Sequence, residues 1–119
     1  MALLLPRQRK GVKGLGILPG HILRIKDVPG LKIPQIGWNS LEFPNEGTLF
    51  KGVPKDSYVY FVHSYYASCE NPAHVMATCV YGETTVHASV QKDNVMACQF
   101  HPEKSSKIGR AILTNFVNI

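Results

Sequence analysis

Val95-Met96-Ala97-Cys98 runs into Gln99-Phe100-His101-Pro102-Glu103-Lys104, and the rest of the chain is read outward from this stretch. A strand alternates its side chains, so Gln99, His101 and, roughly, Glu103 are expected on one face. Pro102 has no backbone N–H and stiffens the exit, so it ends the strand. An imidazole and a carboxylate then stand two residues apart at a strand mouth. A carboxylate so placed accepts from one ring nitrogen and turns the other toward a nucleophile. The bland reading is a strand-end histidine beside a surface carboxylate, and a short motif alone is only a hypothesis.

The 119 residues fit one domain with a modest core. The chain is 45% apolar and 18% charged, ordinary for a globular protein. No apolar run approaches the ~20 residues of a membrane helix. Met1-Ala2-Leu3-Leu4-Leu5-Pro6 is too short for a signal-peptide core and has no basic region before it. A cytoplasmic location is therefore expected. Cys69, Cys79 and Cys98 are an odd number without close spacing, which suggests neither a disulfide framework nor a zinc site. They read as reduced and mostly as small buried hydrophobes.

The net charge of +5 is uneven. Residues 1–26 carry Arg7, Arg9, Lys10, Lys13, Arg24 and Lys26 with no acid, a net +6; residues 27–119 carry seven Lys or Arg and eight Asp or Glu, a net −1. Residues 1–13 are set apart as a basic N-terminal segment, and residues 14–119 as the domain. Such an arm suits nucleic acid. Here it reads as a solvated tail, because no stacking aromatics interleave with the charges.

Gly14-Leu15-Gly16 is not a dinucleotide fingerprint, since Pro19 stands where the third glycine belongs. His21 to Lys26 alternates and predicts a half-buried strand. Val28-Pro29-Gly30 is a turn. Ile33 to Phe43 is a second extended segment, and Leu49 to Pro54 a turn-rich connector. Ser57 to Ala67 is aromatic and β-branched throughout, as in a strand covered on both faces. Cys69 to Ala73 reads as a loop and His74 to Tyr81 as a strand. Thr85 to Gln91 and Val95 to Phe100 form a hairpin around Lys92-Asp93-Asn94. A hydroxyl N-cap at Ser105 or Ser106 opens a helix, with Ile108, Ala111, Ile112, Phe116 and Ile119 on one face. Gly109 weakens that helix by ~1 kcal/mol against alanine, so packing must hold it.

Gln99-Phe100-His101-Pro102-Glu103 resembles the His/Glu signature of class I, triad-type glutamine amidotransferases. From Gly11 onward the chain is similar to the C-terminal half of one branch, the glutamine amidotransferase subunit of imidazole glycerol phosphate synthase in histidine biosynthesis. The matching pieces are Lys13-Gly14-Leu15-Gly16-Ile17-Leu18-Pro19-Gly20, Pro34-Gln35-Ile36-Gly37-Trp38-Asn39, Tyr60-Phe61-Val62-His63-Ser64-Tyr65 and the His/Glu signature through Ser105. The resemblance implies half of an α/β amidotransferase fold, here mostly strands in a mixed or antiparallel sheet with one C-terminal helix. It implies hydrolysis of glutamine to glutamate and ammonia by a Cys–His–Glu triad, with ammonia passing to a partner cyclase barrel. His101 is then the base and Glu103 its orienter. Ser64 and Tyr65 fall where the family lines the glutamine pocket, mainly through backbone groups. Trp38, Asn39 and Lys104 fall where it meets the cyclase. No cofactor and no metal is implied.

The family's nucleophile lies in a Gly-x-Cys-Leu-Gly-x-Gln elbow, and these 119 residues contain no such elbow. Met1–Leu5 resembles the helix that follows it, and Ala2 falls at the family's glutamine-binding Gln. The expectation is a chain that begins past the nucleophile, carries base and orienter, and is inactive alone unless a Cys-bearing half complements it. Cys98, three residues before His101 on one strand, should face the other way, and Cys69 and Cys79 lie in no elbow. A metal set of His63, His87, His101 and Glu103 has no diagnostic spacing. With the covering half absent, the Tyr58–Tyr66 strand should keep a bare edge or face, and a homo-oligomer is expected. The competing reading is a non-enzymatic binding or assembly module that reuses the half-fold. The two differ in whether His101 and Glu103 face a common open cleft.

Overall fold

The computed structural model describes residues 7–8, 12–13, 20–45 and 47–118. The helix expected over Met1–Leu5, the position of Ala2, the glycine-rich Gly14–Gly16 and the last face residue Ile119 lie outside the described residues. So does most of the basic segment; within it, Arg7–Gln8 (β1) and Val12–Lys13 (β2) form a short antiparallel pair.

The other strands are Gly20–Arg24 (β3), Gln35–Ser40 (β4), Tyr58–His63 (β5), Tyr65–Cys69 (β6), Val75–Tyr81 (β7), Thr84–Lys92 (β8) and Val95–Cys98 (β9), followed by one helix, Ser106–Val117 (α1). Every described strand pairing is antiparallel: β3 with β6, β4 with β5, and β7–β8–β9 in sequence. Backbone hydrogen bonds also tie these segments together. Glu42 and Thr78 exchange backbone hydrogen bonds of 2.9 and 2.8 Å, and Ile25 N–H donates to the Ser64 carbonyl at 2.9 Å. The strand-dominated architecture with a C-terminal helix is the one expected from the sequence.

The long aromatic segment expected as one strand is two. Ser64 bends the chain, so β5 pairs with β4 while β6 turns to pair with β3. Nor is β5 covered on both faces. Val59, Phe61 and His63 are buried, whereas Tyr58 and Val62 are 58% and 40% exposed. The register places Ile36 opposite Val62 and Trp38 opposite Tyr60, so one face of β4–β5 is an apolar surface open to solvent. The opposite face packs into the main core with Leu41, Val59, Phe61, Val86, Phe100 and Ile112. Cys69, expected in a loop, closes β6.

The helix buries Gly109 and Ile112, with Ile108 and Ala111 partly buried beside them, but Phe116 is 56% exposed. Ser105 is its N-cap residue, yet its hydroxyl makes no cap bond. It is buried and committed elsewhere. No helix among the described residues is long and apolar enough to cross a membrane.

Candidate active site

His101 and Glu103 are in contact, with Nδ1 3.2 Å from Oε1. Strand alternation does not bring them together, as the sequence suggested. β9 stops at Cys98, Gln99–Phe100 bends, and Pro102–Lys104 forms a 3-10 turn. Pro102 supplies the reason: its fixed φ and missing donor end the ladder and start the turn. Lys104 N–H then donates to the His101 carbonyl and Ser105 N–H to the Pro102 carbonyl, both at 3.0 Å. The carboxylate of Glu103 folds back onto the imidazole at the head of the turn. It accepts from Nδ1–H, which leaves Nε2 as the basic nitrogen. Both side chains reach solvent, at 43% and 56% exposure.

The main chain of His101 is held from both sides. Its N–H donates to the Tyr60 carbonyl at 3.0 Å. Its carbonyl accepts from the Ser105 hydroxyl at 2.7 Å, and that hydroxyl accepts from Tyr60 N–H at 3.0 Å. Ser105 is fully buried. The strand that leads to Ser64 and the turn that carries His101 are thus tied at one residue, Tyr60. Gly109 allows the helix to sit this close: a Cβ there would lie 1.8 Å from the Pro102 carbonyl oxygen.

Ser64 and Tyr65 occupy the bend between β5 and β6 and are both partly buried. Trp38, 46% exposed, packs edge-on against Tyr60 with ring centroids 5.9 Å apart. Lys104 projects from the same turn as Glu103 and is exposed. Asn39 is different. Its amide contacts Gln35 at 2.9 Å, and Gln35 in turn lies 2.6 Å from Nε2 of His63. Gln35 and His63 are both buried. Sequence reading gave neither a role, although a polar pair on the inward positions of two apolar strands is a signal in itself, since buried polar groups require partners.

None of the three thiols stands as an activated nucleophile. Burial raises the pKa of each and so holds it protonated, and the Cys98 thiol is pushed up to about 11. The thiol of Cys79 contacts Gln35 and that of Cys98 contacts Ser89, each at 3.7 Å. The Cys69 main chain donates to Nδ1 of His87 at 3.0 Å. Among the described residues no group of three or more His, Cys, Asp or Glu side chains is placed to hold a metal ion. A surface groove of about 660 Å³ runs along Phe43, Asn45, Thr48 and Phe50, away from the His101–Glu103 contact and without converging catalytic groups.

Residues 15–119 match the model of the glutamine amidotransferase class-I family. The chain belongs to this family. Within it the chain is HisH-like. It is 49% identical over 105 residues to the imidazole glycerol phosphate synthase subunit HisH of Synechocystis sp., covering 87% of this chain and 50% of that protein. It is 42% identical over 116 residues to the HisH subunit of Methanocaldococcus jannaschii, covering 94% and 55%. The chain therefore spans about half the length of the curated relatives it matches. Among solved structures, a Thermoplasma acidophilum protein described as a GMP synthase subunit superposes with a TM-score of 0.62 over 83% of this chain and 47% of that one. At 21% identity, that likeness shows a shared fold.

Proposed function

We propose that this chain supplies the base and the orienting carboxylate of a glutaminase that feeds ammonia to a cyclase barrel in histidine biosynthesis. One observation carries the reading: Nδ1 of His101 lies 3.2 Å from the Glu103 carboxylate, and the His101 side chain is 43% exposed. An imidazole held in this tautomer takes the proton of a thiol and returns it to the leaving amine. A non-enzymatic module has no need to keep such a pair joined and accessible, which favours the catalytic reading over an assembly role.

On this reading the nucleophilic cysteine comes from a segment outside these 119 residues, because all three thiols here are held protonated by burial. The substrate is glutamine, received along Ser64 and Tyr65. The docking surface for the cyclase is the open face of β4–β5 around Trp38, with Lys104 at its border, in a cytoplasmic setting; Asn39 alternates to the other face and reaches the cyclase, on this reading, only through the main chain beside Trp38. On this reading residues 1–13 are the basic N-terminal segment and residues 14–119 the amidotransferase part. A bare β4–β5 face also favours self-association when nothing covers it.

The test is ammonia release from glutamine, by the chain alone and after addition of the nucleophile-bearing N-terminal half of a HisH relative. The chain alone is expected to be inactive. The complemented mixture is expected to turn over, with His101→Ala lowering kcat by about 10²–10⁴. Release by the chain alone that survives His101→Ala would refute the assignment.

A further inference from the structure

His63 is a buried titratable side chain for which the proposed chemistry has no use. It is 9% exposed, and both ring nitrogens are engaged: Nδ1 lies 2.8 Å from the Tyr65 carbonyl oxygen and Nε2 lies 2.6 Å from Oε1 of Gln35. A carbonyl oxygen can only accept, so Nδ1 carries a proton. Nε2 also faces an oxygen as placed. An imidazolium satisfies both contacts. A neutral ring satisfies them once the Gln35 and Asn39 amides turn over together, each exchanging its oxygen and nitrogen positions. The Gln35 carbonyl then takes the place of the nitrogen that now donates to Asn39 Oδ1 at 2.9 Å, the Asn39 amide donates in return, and the Cys79 thiol lies 3.7 Å away. The Nδ1–H bond to Tyr65 is common to both states. Burial disfavours the cation, so the neutral ring is the resting one.

The position of this bond matters. His63 ends β5, Ser64 bends, and Tyr65 begins β6. The histidine side chain reaches across the bend to the carbonyl two residues on. It closes the turn locally, while Gln35 anchors the ring from β4. Gln35 is wholly buried.

We propose that His63, braced by Gln35, is the positioning residue of the substrate pocket: its Nδ1–H pins the Tyr65 carbonyl and so fixes the backbone on which glutamine is received. This rests on the reading of Ser64 and Tyr65 as the glutamine pocket. His63 touches neither substrate nor the reacting atoms; it acts through the backbone it holds.

Two measurements on isotope-labelled full chain test it. The first is the ¹⁵N ring spectrum of His63, which is expected to show a protonated Nδ1; a neutral ring protonated at Nε2 overturns the proposal whatever glutamine does. The second is titration with L-glutamine, following the Ser64 and Tyr65 amides. His63→Asn places a donor near the Nδ1 position, whereas His63→Gln places one near Nε2. The expected result is that His63→Asn binds glutamine within about threefold of the parent, while His63→Leu and His63→Gln are weakened about tenfold or more, the scale of one lost buried hydrogen bond. A purely structural need for any polar group would let both amides rescue, and that outcome refutes the positioning role. Unchanged binding in His63→Leu refutes it too, with the pocket reading left standing. Silence of the Ser64 and Tyr65 amides in the parent instead removes the pocket reading, and the proposal falls with it.

Discussion

At the scale of single residues, the site depends on a serine that the sequence presents as an ordinary helix cap. Ser105 sits where a hydroxyl cap is expected, but its oxygen is spent on the His101 carbonyl and the Tyr60 N–H. Removing it leaves the Tyr60 N–H without that acceptor and the His101 carbonyl with Lys104 N–H alone of its two donors. Ser105→Ala should therefore cost about 1–3 kcal/mol in denaturant unfolding. It should also lower turnover in the complemented enzyme more than a helix-cap loss explains, since the His101 main chain loses one of the bonds that hold it. Ser105→Thr keeps the hydroxyl and should retain more of both. A stability change no larger than that of an exposed serine, such as Ser106→Ala, would show that the clamp carries little. The nearness of His101 and Glu103 was legible in the sequence because Pro102 fixes where the strand must stop. The mode of contact was not. Alternation and a 3-10 turn both bring residues 101 and 103 near each other, and only the actual hydrogen bonds of Lys104 and Ser105 decide between them.

At the scale of elements, α1 shows propensity overruled by packing. Glycine inside a helix is normally a weak point, and replacing it with alanine normally adds up to ~1 kcal/mol. Gly109 should do the reverse. The added Cβ would meet the Pro102 carbonyl oxygen at 1.8 Å and its carbon at 2.8 Å, both backbone atoms that cannot rotate away. Gly109→Ala should destabilise by about 1–3 kcal/mol, the range of overpacking, and should disturb the His101–Glu103 turn along with the helix. Thermal unfolding of this variant checks the sign directly; a raised midpoint would mean that the helix and turn separate more easily than their contact implies. The hairpin of β8 and β9, the strands β3 and β4, and the helix were all legible from alternation, turn residues and helical spacing. The division of the aromatic segment at Ser64 was not, because neither Gly nor Pro marks it. The bend is held by the side chain of His63 and by Ile25 N–H bonding to the Ser64 carbonyl, contacts that no local pattern encodes.

At the scale of the whole molecule, the buried imidazoles couple folding to pH. Burial lowers the pKa of His63 below its usual 6.5, only partly offset by its bond to the Tyr65 carbonyl, and burial lowers that of His87 as well. A base whose native pKa is depressed is neutral in the fold and binds its proton only after unfolding. The unfolded chain then holds more protons than the native one in the window below 6.5, and stability rises with pH across it. The contribution of these two rings is complete above pH 6.5 and is lost as pH falls toward their native values. Each adds at most about 1.4 kcal/mol per pH unit to the slope. The interval from about pH 6.5 down to about 5 is where these two buried rings act. Urea unfolding should show a falling midpoint across that interval, and the double variant His63→Gln with His87→Gln should flatten it. Stability that stays level from about pH 7 to about 5 in the parent would mean that the native fold accepts the proton, with His63 donating to both Tyr65 and Gln35 as an imidazolium. The same experiment therefore reports which of its two states the buried network occupies.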